Sequence, residues 1–147
     1  MSRTWVMIVV CFLAVCWPGS GEASPLLSGH WRVDDPKGAL AFFCGQECTI
    51  MQTASVITFE RNGRKTTYTF GAPVSEKADY GTTILTEAKW AGDVLTLTVT
   101  VKASDGKTVG TPGVTVASLK AGRLVVDDRR SLRGVTSRVG SSYHLVP

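Results

Sequence analysis

The sequence has 147 residues, with 16 Lys and Arg against 12 Asp and Glu, a formal net charge of +4, 44% hydrophobic residues and 19% charged ones. That length holds one domain rather than two, the apolar fraction excludes intrinsic disorder, and no collagen or heptad period repeats. A surplus of four charges scattered along the chain is no electrostatic footprint for a nucleic-acid partner.

Residues 1–23 read as a cleavable export signal. Arg3 supplies the positive start, the run from Trp5 to Trp17 is apolar and uncharged, and Pro18-Gly19-Ser20-Gly21 breaks it before a small-x-small site at Gly21-Glu22-Ala23. The apolar run is about 13 residues long, where roughly 20 are needed to span a bilayer. The alternative is a lipoprotein signal with Cys16 as the anchored residue, against which Val15 stands where a Gly, Ala or Ser is expected. Removal takes Cys11 and Cys16 and leaves Cys44 and Cys48; Arg3 and Glu22 leave together, so the net charge does not change. The expected product is a single domain over residues 24–147, secreted or periplasmic, in an oxidising compartment and without a transmembrane segment.

That domain reads as short strands joined by turns, all-β and antiparallel. A first strand fits residues 30–34, a turn fits 38–44, and a second strand runs through Cys48-Thr49-Ile50-Met51-Gln52. Residues 56–59 and 66–70 flank Glu60-Arg61-Asn62-Gly63-Arg64, and Asn-Gly tolerates the positive φ values of a type I′ hairpin turn. Strands at 82–89 and 95–101 follow, the latter alternating without a fault as Leu95-Thr96-Leu97-Thr98-Val99-Thr100-Val101, so that one face is buried and the other is threonine-coated. Strands at 114–119, 124–126 and 141–146 complete the series. Asp127-Asp128-Arg129-Arg130 reads as a solvated turn between strands. Eight or nine strands in a meander reach stability by closing into a small barrel, which removes exposed edges; a β-sandwich would give the same alternation.

Gly29-His30-Trp31 resembles the Gly-x-Trp opening of lipocalin and avidin-type barrels, a resemblance that implies a Trp plugging the closed end. The hairpin ending Thr67-Tyr68-Thr69-Phe70-Gly71, the run Ala88-Lys89-Trp90-Ala91-Gly92-Asp93-Val94-Leu95 and the run from Ser118 to Val126 are similar to a type of small exported bacterial lipocalin-like protein that is uncharacterised. Those motifs mark strands and turns and name no catalytic residue. The chain is shorter than true lipocalins and lacks their later motifs.

Candidate chemistry is sparse. Cys44-Gly45-Gln46-Glu47-Cys48 places two cysteines four apart, where a tight turn brings their Cα atoms within disulfide reach. No flanking Lys, Arg or His is present to activate a thiolate, and a metal site needs two more ligands. His30 and His144 fall on strands that neighbour each other in a closed barrel, and their phase points both outward as solvated side chains. No Gly-x-Ser-x-Gly, phosphate loop or zinc motif occurs, so no catalytic residue, metal or cofactor is assigned. Trp31, Phe59, Tyr68, Phe70, Leu97 and Tyr143 are barrel-interior candidates. Phe42 and Phe43 lie near one barrel end as a plug, a lid or a partner contact. Two functions fit: a barrel holding a small apolar ligand without catalysis, which requires a cavity of roughly 300 Å3 or more, or a solid-cored envelope interaction or inhibitor protein acting through residues 42–48 and 72–81.

Overall fold

The structure is a computed structural model that describes residues 25–147 except 41 and 133. The export signal and Cys11 and Cys16 lie outside the described residues. Ten antiparallel strands form one sheet: β1 Gly29–Val33, β2 Glu47–Gln52, β3 Val56–Arg61, β4 Arg64–Thr69, β5 Val74–Lys77, β6 Thr83–Ala91, β7 Val94–Lys102, β8 Gly113–Lys120, β9 Arg123–Leu132 and β10 Val135–Val146. The only helical pieces among the described residues are two single 3-10 turns, Pro36–Gly38 and Asp79–Gly81.

The sheet order is β4-β3-β2-β1-β10-β9-β8-β7-β6-β5. Every neighbour in that order is a sequence neighbour except β1 and β10, which pair through Trp31 with Leu145 and Val33 with Tyr143. The sheet then curls until the end of β4 reaches β6: Phe70 bridges Ala88 in parallel, and the Gly71 amide donates to the Ala88 carbonyl at 2.9 Å. The result is a nearly closed barrel rather than a sandwich, with a seam between β4 and β5.

Turn chemistry sets the hairpins. Asn62 (φ 48) and Gly63 (φ 74) make the tight turn between β3 and β4 that the Asn-Gly pair predicts. At the glycine of Gly29-His30-Trp31 the backbone holds φ 153°, which side-chain-bearing residues rarely adopt, and a Cβ there would also push the Leu145 side chain aside. Inside the barrel, Trp31, Ile50, Ile57, Phe59, Leu95, Leu97, Leu124, Val126 and Tyr143 are all buried. Trp31 is buried near the start of β1, where its indole Nε1 donates to the Leu27 carbonyl at 2.8 Å and Leu27 itself is fully buried.

Three expectations change. The tenth strand is β5, within residues that read as loop. The strand expected at 124–126 extends to Leu132 and the one at 141–146 begins at Val135, so the two form one long hairpin. Asp127-Asp128-Arg129-Arg130 is therefore mid-strand, not a turn. Its charges are absorbed because alternation divides them: Asp127 and Arg129 face out, while Asp128 faces in, 5% exposed, accepting from Thr115 Oγ1 at 2.8 Å and from Arg130 Nε at 3.0 Å.

Candidate functional site: the plugged mouth and its cleft

The connection between β1 and β2 folds over one end of the barrel. Pro36 opens the first 3-10 turn, whose start is capped by the Asp35 side chain accepting from the Lys37 amide at 3.0 Å. The Leu40 carbonyl then gathers the amides of Phe43, Cys44 and Gly45 at 3.0, 3.1 and 2.9 Å, a tight turn that needs the positive φ of Gly45 (66°) to reverse the chain. This turn drops Phe43 into the barrel, 1% exposed, with its ring 5.0 Å from Phe59 and 6.4 Å from Tyr143. Phe43 is a plug, not an exposed partner contact. Phe42 is half-buried, with the Arg130 guanidinium 4.0 Å above its ring centre.

The plug is tied down on both sides. The Cys44–Cys48 disulfide, with Cα atoms 5.1 Å apart, fastens it to β2, and both cysteines are buried. On the β10 side Tyr143 Oη accepts from the Leu40 amide at 3.3 Å and Ser141 Oγ bonds the Gly38 carbonyl. Asp34, where β1 runs into the plug, takes hydrogen bonds from Ser142 Oγ and from His144 Nδ1 (2.8 Å) and pairs with Arg123 at 2.5 Å. These bonds hold its pKa at about 2.

Both histidines face outward as their phase predicts, yet neither lacks a carboxylate. His30 lies 3.7 Å from Glu47 and bonds Thr49 at 3.1 Å, and His144 bonds Asp34. The register sets Val146 opposite His30 and His144 opposite Arg32. Among the described residues no group of three or more His, Cys, Asp or Glu side chains forms a metal site.

Beside the plug lies a cavity of about 800 Å3, walled by the plug, by the β3–β4 hairpin and by β5. Strand alternation brings its side chains inward. Phe59 faces the core, so Arg61, two residues on, faces the same side at the mouth; across the hairpin Arg64, Thr66 and Tyr68 share that face. Glu76 of β5 closes the far wall, and on the plug side Arg32 holds Glu47 through Nε and Nη2 at 3.2 and 3.1 Å. Burial and the Glu76 carboxylate push the Tyr68 phenol upward, while the Arg61 guanidinium pulls it down; burial likewise raises Tyr143, with Arg61 again opposing. Arg61 is therefore electrostatically in touch with Tyr68 in the cleft wall and with the buried Tyr143 phenol.

Of the interior candidates, Trp31, Phe59, Leu97 and Tyr143 are buried, and Tyr68 and Phe70 are partly buried against the core. Tyr68 sits at the boundary, its ring 6.1 Å from Phe59 while the residue lines the cleft. Phe70 stacks edge-on with Trp90 at 6.2 Å along the seam. Sequence reasoning missed Arg61, Arg64 and Glu76. The in-out phase of the Asn-Gly hairpin carries the signal for the two arginines, because it places Arg61 on the side of Phe59. Nothing in the sequence marks Glu76.

No protein-family model and no curated protein matches the sequence. Solved structures do. A "REP1-NXSQ fatty acid transporter" superposes with a TM-score of 0.53 at 15% identity, over 82% of this chain and 96% of that one, and a mutant of the same transporter superposes at 0.52. A luciferase domain from the dinoflagellate Lingulodinium polyedrum gives 0.52 at 12% identity over 87% of this chain, which spans 48% of the domain's chain. At such identities the likeness is one of fold. The protein has a barrel fold resembling fatty acid transporter and lipocalin-like barrels. No helix among the described residues is long and apolar enough to cross a membrane.

Proposed function

We propose that this is an exported, non-catalytic binding protein that holds one small ligand, largely apolar in body, in the cleft at the plugged mouth. The observation that carries this reading is the open cleft of about 800 Å3 beside the plug, in which Val33, Pro36 and Tyr68 offer apolar surface between charged and polar walls, a volume within the roughly 300–1,000 Å3 range of ligand pockets. The barrel interior is packed with buried side chains and Phe43, so the ligand sits at the mouth rather than along the axis. The fatty acid transporter sharing the fold supports a ligand with apolar character. The buried Cys44–Cys48 disulfide supports export to an oxidising compartment.

A second reading, an interaction protein acting through residues 72–81, is favoured by Tyr80, which is 99% exposed at the tip of the turn between β5 and β6 with φ 59. Native mass spectrometry of the protein purified from its own source separates the two. A retained small molecule is the expected result. A retained protein partner lost on Tyr80→Ser substitution would replace the first reading with the second, and a bare chain that also takes up no fluorescent apolar probe would overturn it.

A further inference from the structure

We propose that residues 135–139 of β10 pair edge to edge with the same residues of a second copy of this chain, antiparallel about Ser137. The β9–β10 hairpin outruns the sheet on both sides. β8 pairs with β9 only as far as Arg129, opposite Val114, and β1 pairs with β10 only as far as Tyr143, opposite Val33. Beyond those points two strands run on alone, Arg130 opposite Ser137 and Leu132 opposite Val135, and residues 135–140 are all exposed. A ribbon of two strands is marginal in water, whereas three or more strands hold together.

The free edge of this ribbon is open to a further strand. The Ser142 carbonyl accepts from the Asp34 amide on the β1 side. Alternation turns the backbone groups of Arg138 and Thr136 the same way, where no strand pairs with them among the described residues. The other free edges carry features that discourage such pairing: β5 has four residues, follows Pro73 and ends at Lys77, and β4 carries Lys65. Residues 135–139 contain neither Lys nor Pro, and Val135 and Val139, 71% and 43% exposed, stand on one face.

The edge is complementary to itself. Centred on Arg138, an antiparallel pairing would set two guanidinium groups directly opposite each other, which destabilises a strand pair. Centred on Thr136, it would lay Val135 against Ser137. Centred on Ser137, Thr136 exchanges both backbone bonds with the second copy's Arg138, and the two-fold axis repeats the exchange. Each arginine then faces a threonine, and each Val135 lies against the second copy's Val139 on the face that is otherwise exposed. Residue i meeting j while j meets i is the pattern of a two-fold interface. The two ribbons become one four-stranded sheet in the order β9-β10-β10-β9. Contact limited to this edge falls well below the roughly 1,600 Å2 of a standard stable interface, so the dimer is weak and forms with concentration.

Sedimentation equilibrium over a dilution series is expected to show reversible exchange between monomer and dimer, with no larger species. Thr136→Pro removes an amide aimed at the second copy while keeping the β9 ladder, and is expected to weaken the dimer at least about tenfold with an unchanged circular dichroism spectrum. Val135→Glu and Val139→Lys, each alone, are expected to weaken it as well, because a charge then faces a valine. Together they are expected to restore it, because every Glu then faces a Lys across the axis, and four residues along one strand keep the two apart within a copy. A monomer throughout the series overturns the proposal, as does a dimer that Thr136→Pro leaves unchanged. A double variant that dimerises no more tightly than the single ones overturns it too, and decides the matter alone if Thr136→Pro disturbs the fold.

Discussion

Asp34 ties the end of β1 to β10 and to the start of β9 through one carboxylate, and its chemistry gives a pH signature. Hydrogen bonds from Ser142 and His144, with the Arg123 ion pair, lower its pKa from 3.8 to about 2. A carboxylate depressed on folding contributes stability that is present above the unfolded value and is lost as pH falls toward the folded one. Asp34→Asn is therefore expected to lower the melting temperature at pH 6, with the difference from the unaltered protein shrinking between about pH 4 and 2. Thermal unfolding followed across that range checks it, and a difference independent of pH would show that Asp34 acts by shape alone. Asp128 makes the complementary point. Its buried carboxylate is shared between Thr115 and Arg130, so Asp128→Ala strands two polar groups and is expected to cost about 2 kcal/mol in chemical denaturation. Neither role was legible in sequence, because a buried and a solvated carboxylate look alike until a strand of unknown length is placed beside them. The disulfide and the inward aromatics were legible, since four-residue spacing and two-residue alternation are local.

At the level of elements, the Asn-Gly and Ala-Gly turns were readable, whereas the β9–β10 hairpin was not, although it too turns through a glycine of positive φ, Gly134 (φ 80). Asn62-Gly63 announces its turn. The β8–β9 hairpin turns at Ala121 (φ 49) and Gly122 (φ 75), placing a Cβ-bearing residue in the left-handed region. Ala121→Asn would recreate the Asn-Gly pair used between β3 and β4, and is expected to stabilise the fold by about 0.5–1 kcal/mol in urea unfolding. The β9–β10 hairpin was misread because its charged middle masks strand alternation, and charge in a strand goes unpunished only when neighbouring strands supply the counter-charges. The plug is the other element whose detail was hidden. Its disulfide closes a very short loop, so the chain-entropy model gives about 2 kcal/mol, whereas Phe43→Ala empties a filled site and is expected to cost about 3–5 kcal/mol. Reduction should therefore loosen the plug far less than removal of Phe43, which denaturation of the two species compares directly.

The whole molecule is a single curled sheet whose two ends, β4 and β5, meet β6 in turn and leave a seam between them. Strands β1, β9 and β10 are paired on both sides, while β4 and β5 each have one partner strand, and across the seam the end of β4 meets β6 through the Phe70–Ala88 bridge, the Gly71 amide and the Phe70–Trp90 ring contact. Opening should begin there. Amides of β4 and β5 are expected to exchange with solvent faster than those of β7 and β8, measured by native-state hydrogen exchange. The barrel class was readable from eight or nine short alternating segments. The place where it closes was not, since neither Phe70 nor Ala88, bridged 18 residues apart, carries a local mark.

That placement of the seam has a consequence for the order in which the chain could be written. The sheet breaks between β4 and β5, whereas the first and last strands lie side by side in its middle, with His30 opposite Val146. A circular permutant joined by a short linker from Pro147 to Leu26 and opened at Pro73 would run from β5 through β10 and β1 to β4, so that sequence order and sheet order coincide throughout. Its most distant pairing would become a hairpin, and proteins dominated by local pairings fold faster. In the natural arrangement the first strand must wait for the last, and the central ladder of the barrel is the final one the growing chain is able to complete.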